Sequence, residues 1–152
     1  MSKEVIIMVG ISGAGKTTAI KDLSYRYPRL KVCSADLFFC DDNGCYNFDP
    51  AKLSEAHNYC MRNFLEAMAN GSNAVVVDNT NCSIAEIAPY VAVANAFGYF
   101  TKIIVVHAEP KDCIERNTHG TPANAIMGQH YRLQKTLADL PPWWNVEHRW
   151  SD

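Results

Sequence analysis

Short runs of consecutive apolar residues alternate along this chain with longer segments in which apolar positions recur every three or four residues. The runs at 5–9 (Val-Ile-Ile-Met-Val), 74–77 (Ala-Val-Val-Val) and 103–106 (Ile-Ile-Val-Val) carry no polar face, which predicts strands buried on both sides. Leu30-Lys31-Val32-Cys33 predicts another, and the 103–106 run is the centre of a strand over 99–107. Helical spacing predicts helices over 18–27, 50–70, 83–97, 110–117 and 123–140. Breakers fall where these need them: Pro28 and Gly71 close two helices, Gly98 a third, and Pro141-Pro142 the last. Asp49 followed by Pro50 is an N-cap and first helical position. Leu53, His57, Cys60, Phe64 and Met68 form one stripe of the helix that follows, where His57 reads as a packing residue. Pro89 should interrupt the helix over 83–97.

The first strand runs directly into Gly10-Ile11-Ser12-Gly13-Ala14-Gly15-Lys16-Thr17-Thr18, which fits G-x-x-x-x-G-K-[ST]. A strand, a Gly-rich turn and a helix in that order form a phosphate cradle, because the backbone must curl so that its N–H groups converge on an anion. Gly10, Ser12, Gly13, Ala14, Gly15, Lys16, Thr17 and Thr18 are therefore the triphosphate-binding residues. Lys16 is placed to bridge the β- and γ-phosphates, and the Thr17 hydroxyl to bind Mg²⁺. Strands alternating with helices behind such a loop give an α/β, three-layer P-loop fold with a mostly parallel sheet, expected in the order 2-3-1-4.

With 152 residues, 48% of them apolar, the chain suits one core and is short for two, so 1–152 is expected to be a single domain. No apolar run is long enough to cross a membrane, and a strand begins too early for a signal peptide. Six cysteines without a C-x-x-C pair fit reduced thiols and a cytoplasmic location. A net charge of −2 argues against a large basic face, although a polynucleotide end held in a cleft needs only a few cations.

In an open α/β sheet, ligands bind beyond the carboxyl ends of the strands. Asp36 follows the second strand and Asp78 ends the third, so both belong beside the nucleotide. Asp78 stands in the Walker B position as an Mg²⁺ ligand, or caps the Asn79-Thr80-Asn81 turn, or does both. The Asp41-Asp42-Asn43-Gly44 turn, flanked by Phe38, Phe39, Tyr46 and Phe48, predicts a small hairpin or ordered loop over the site. Arg116 precedes the breaker-rich segment 118–122, and a lid over about 116–125 would carry this cation to the transferring phosphate. Residues 141–152 form an aromatic tail, for which packing against the sheet is favoured over base stacking.

Together these segments resemble the P-loop polynucleotide 5′-hydroxyl kinases, the kinase modules of phage end-healing enzymes and their relatives. The matches are 10–18, Ser34-Ala35-Asp36 with its aromatics, Val77-Asp78-Asn79-Thr80-Asn81 and Ile114-Glu115-Arg116-Asn117. The resemblance implies ATP and Mg²⁺ as cofactors, the 5′-hydroxyl end of RNA or DNA as acceptor, Asp36 as general base and Arg116 as a lid cation. It places acceptor contacts at Asp36, Phe39, Asn79, Thr80 and Asn81. Two departures stand out. Phage enzymes carry a second lid arginine where this chain has His119-Gly120, which leaves His119 or Arg132 to share that work. They also carry an arginine for the acceptor's 3′-phosphate where Phe39 stands here. A kinase of a small-molecule hydroxyl and a nucleotide-binding NTPase module remain the alternatives.

Overall fold

A computed structural model describes residues 2–117 and 120–151. Its centre is a five-stranded sheet made of β1 (Glu4–Val9), β2 (Lys31–Cys33), β3 (Ala74–Asp78), β4 (Phe100–His107) and β5 (Val146–Trp150). The order is β2-β3-β1-β4-β5, and every pairing is parallel. The expected 2-3-1-4 order is present, extended by one strand. Val5, Ile6, Ile7, Met8 and Val9 of the central strand are each at most 1% exposed, as a run without a polar face requires.

The helices are α1 (Lys16–Arg26), α2 (Leu53–Ala69), α3 (Ile84–Ala96), α4 (Pro110–Arg116) and α5 (Ala123–Ala138). Asp49 accepts a hydrogen bond from the Ala51 N–H at the head of a short 3₁₀ turn, Pro50–Lys52, that leads into α2. Ser83 caps α3 by accepting from the Glu86 N–H. That helix runs unbroken through Pro89, contrary to the interruption expected. The ring removes one backbone donor, but Ile87, Tyr90, Val91 and Ala94 are buried along one side and hold the helix across it.

Two segments take a form beyond their sequence pattern. Residues Ala35–Phe39, ahead of the aromatic loop, wind into a 3₁₀ turn capped by the Ser34 hydroxyl, which accepts from the Asp36 N–H at 3.1 Å. The loop beyond closes as a tight hairpin through an antiparallel bridge between Cys40 and Tyr46. The Asp41 carboxylate caps its turn, accepting from the N–H groups of Asn43 at 2.9 Å and Cys45 at 2.8 Å. The aromatic tail does more than pack on the sheet: it joins it, pairing from Ile103↔Val146 to His107↔Trp150. No helix among the described residues is long and apolar enough to cross a membrane.

Candidate active site

Parallel pairing brings the carboxyl ends of β1, β2 and β3 to one edge, and the glycine-rich loop leaves β1 there. The loop is pinned on both sides. The Gly10 N–H donates to the Thr80 carbonyl at 2.9 Å, and the Ser12 N–H donates to Gln129 Oε1 of α5 at 2.9 Å. Gly13 and Gly15 take φ values of +85° and +107°, the left-handed region that side chains resist. A Cβ on Gly13 would also lie 2.7 Å from the Cys113 carbonyl oxygen, so this glycine lets α4 approach the loop. Gly15 precedes α1, which has no side-chain cap, so its first-turn N–H groups and the positive end of its dipole are presented to an anion.

Lys16 reaches back over the curl, its Nζ donating to the carbonyls of Gly10 at 2.8 Å and Ile11 at 3.0 Å. Burial pushes its pKa below the ordinary 10.5, opposed by negative charge at Asp78, then by Cys82, Cys113 and Asp36. Thr17 and Thr18 lie exposed in the first turn of α1.

Asp78 ends β3 in register with Met8 of β1, one strand from the loop. Thr17 and Asp78 offer a hydroxyl and a carboxylate, the hard oxygen donors that Mg²⁺ takes. Among the described residues no three His, Cys, Asp or Glu side chains are grouped to hold a metal unaided. That donor set fits an ion shared with nucleotide phosphates, which complete its coordination, rather than one caged by protein.

The residues after β3 knit the site together. Asn79 Oδ1 accepts from the Ala35 N–H at 2.9 Å while its Nδ2 donates to the Cys60 thiol at 3.5 Å. The Thr80 carbonyl holds Gly10, as above. Asn81 is 1% exposed with φ +49°, and its Nδ2 donates to the Met8 carbonyl at 2.8 Å. Asp36, by contrast, is exposed, and accepts from the Tyr46 hydroxyl at 3.2 Å. Burial raises the Tyr46 pKa to about 12, with the charge of Asp36 and the hydrogen bond to it adding to the effect.

A cleft of about 420 Å³ lies beside the loop, and it gathers Ser12, Asp36, Phe39, Asn79 and Thr80 from the predicted set. Lys16, Thr17, Asp78, Asn81 and Arg116 are not on its wall. Arg116 is exposed at the end of α4, its guanidinium 3.9 Å from the Cys113 thiol, on the helix that abuts Gly13. Arg132 does line the cleft, from α5, whereas His119 lies outside the described residues. Phe39 is 6% exposed, at the base of the aromatic group. Tyr46 and Gln129 are the contributors that the sequence reading leaves unassigned. Tyr46 is marked only as an aromatic flank, and nothing in the local pattern distinguishes Gln129 from other helical polar residues.

A family model described as an AAA domain matches residues 5–125. The chain belongs to that family. Its relatives bear out both the resemblance to P-loop polynucleotide kinases and the α/β P-loop fold. This AAA domain chain is 30% identical over 136 residues to NEDD4-binding protein 2 of Homo sapiens, an alignment covering 84% of the chain and 8% of that protein. It is 29% identical over 126 residues to a putative bifunctional polynucleotide kinase/RNA ligase of Autographa californica nuclear polyhedrosis virus, covering 76% of the chain and 18% of that protein. The chain thus spans less than a fifth of either relative. In fold it matches a chain of the Pnkp1/Rnl/Hen1 RNA repair complex with a TM-score of 0.76 at 16% identity, covering 92% of this chain and 47% of that one. A gluconokinase from Sinorhizobium meliloti 1021 matches with a TM-score of 0.62 at 15% identity, covering 97% and 82%.

Proposed function

We propose that this P-loop kinase domain transfers the γ-phosphoryl group of ATP to the 5′-hydroxyl end of a polynucleotide. The observation that carries the reading is the placement of the exposed Asp36 carboxylate and Ser12 of the phosphate loop on one cleft, with Asn79 holding the turn that bears Asp36. Relatives named for polynucleotide kinase and RNA repair support the choice of acceptor.

In this reading the backbone of 13–18 and the Lys16 ammonium hold the β- and γ-phosphates. Asp36 orients the acceptor hydroxyl in line with the γ-phosphorus and takes its proton as the new O–P bond forms. The bond from the γ-phosphorus to the bridging β–γ oxygen breaks, and ADP leaves. Thr17 and Asp78 would hold a Mg²⁺ ion, which would supply charge neutralisation to the phosphates. Arg116, on α4 beside the loop, and Arg132, on the cleft wall, offer further cations to the equatorial oxygens. Asn79 and Asn81 act by holding Asp36 and β1 in place, while Thr80 reaches the acceptor side of the cleft.

Transfer of labelled γ-phosphate from ATP with Mg²⁺ to 5′-hydroxyl RNA and DNA oligonucleotides tests the proposal. Labelled ends on either polymer are expected. ATP binding without labelled ends would turn the reading towards a small-molecule acceptor.

A further inference from the structure

The wall of the cleft that carries Asp36 is built from rings. Phe39 packs edge-on against Phe38 and Phe48, with centroids 5.3 and 5.1 Å apart, and forms the floor. Tyr46 and Phe48 stand over it with ring planes 9° apart and centroids at 6.4 Å. Phe48 leaves 51% of its surface open. Both rings are fixed by the hairpin, through the Cys40–Tyr46 bridge and an Asn47 N–H donated to the Phe39 carbonyl at 2.9 Å. Leu53 and His57 continue the same wall, which among the described residues carries no lysine or arginine. Arg132 lines the cleft from the other side, on α5.

An anion meets neither lysine nor arginine among the described residues of such a wall, whereas a flat base meets preordered aromatic surface at small entropic cost. We infer that Tyr46 and Phe48 form the subsite for the acceptor's terminal nucleoside, whose base stacks there while its 5′-hydroxyl turns to Asp36. The Tyr46 hydroxyl, bonded to Asp36 at 3.2 Å, sets the spacing between the stacking surface and the base that takes the proton. This inference rests on the polynucleotide kinase reading and narrows its substrate class to ends recognised by their terminal base, with no 3′-phosphate held on that wall.

The test is steady-state transfer from ATP to two 5′-hydroxyl oligonucleotides that differ only in whether the terminal residue carries a base or is abasic. The wild-type protein should show a KM about tenfold higher for the abasic end. Phe48→Ala should raise the KM for the base-bearing end by about tenfold and change that for the abasic end by less than about twofold. Phe48→Trp, which keeps a stacking face, should retain the wild-type discrimination. Equal KM values for the two ends in the wild type, or equal losses on both in Phe48→Ala, would overturn the subsite and leave the kinase standing. Transfer to neither end by the wild type would overturn the kinase reading and the subsite with it.

Discussion

The side chain of Asn79 and the backbone of Ala35 are joined by a hydrogen bond of 2.9 Å, so the residue after β3 fixes the turn that presents Asp36. Ala35 is 6% exposed, and without this partner its N–H would stay buried and unpaired. Asn79→Ala should therefore destabilise the fold by about 1–3 kcal/mol. It should also lower phosphoryl transfer more than it lowers ATP affinity, because the phosphate loop keeps its own anchors through Thr80 and Gln129. Thermal melting, ATP titration and transfer rates on one preparation check this. Equal losses in affinity and rate would place Asn79 in general structure rather than in the positioning of Asp36.

Gly13 and Gly44 separate backbone strain from close approach. Both have positive φ, +85° and +79°, but a Cβ on Gly13 meets the Cys113 carbonyl at 2.7 Å whereas one on Gly44 meets nothing within 4 Å. Gly44→Ala should cost about 1 kcal/mol, from backbone conformation alone. Gly13→Ala should cost roughly 2 kcal/mol more, because α4 has to move, and should weaken ATP binding. Denaturant midpoints of the two variants give the difference directly, and similar midpoints would deny the contact between loop and helix.

Lys16 provides a proton-linked signature. Burial lowers its pKa in the free protein below 10.5, while phosphate oxygens beside the ammonium raise it in the complex. Between those two values the complex holds more protons than the free protein, so ATP binding takes up protons in that window, whose lower edge lies below pH 10.5. Calorimetry in buffers of different ionisation enthalpy should detect this uptake. Lys16→Arg, which stays charged, should show none, and Lys16→Ala should lose transfer by orders of magnitude with its melting transition kept.

The sequence makes the sheet centre and the phosphate loop legible for the same physical reason. Residues 5–9 and 74–77 have no polar face to give to solvent, and Gly13 and Gly15 stand where the backbone must turn left-handed. The edge of the sheet is less legible. Val146–Trp150 sets the polar Glu147, His148 and Arg149 between its one aliphatic residue, Val146, and Trp150, and only its parallel register with β4 makes it a strand. Pro89 misleads because the buried side of α3 outweighs one missing backbone bond. Around the site, the pattern marks which polar residues sit at strand ends but not where their side chains turn. Asn81 and Asp36 both follow strands, yet one is buried against Met8 and the other exposed beside Tyr46. Gln129 is 117 residues from Ser12 in sequence, a separation that no local pattern can bridge.

The most direct test of the account is single-turnover phosphoryl transfer by Asp36→Asn, with ATP affinity measured on the same sample. Asparagine keeps the size of the side chain and removes its capacity to take a proton. If Asp36 is the base, transfer to a 5′-hydroxyl oligonucleotide falls about 10²-fold or more with ATP affinity within about twofold of wild type. Transfer at near-wild-type rates would contradict the assignment of Asp36 as the base.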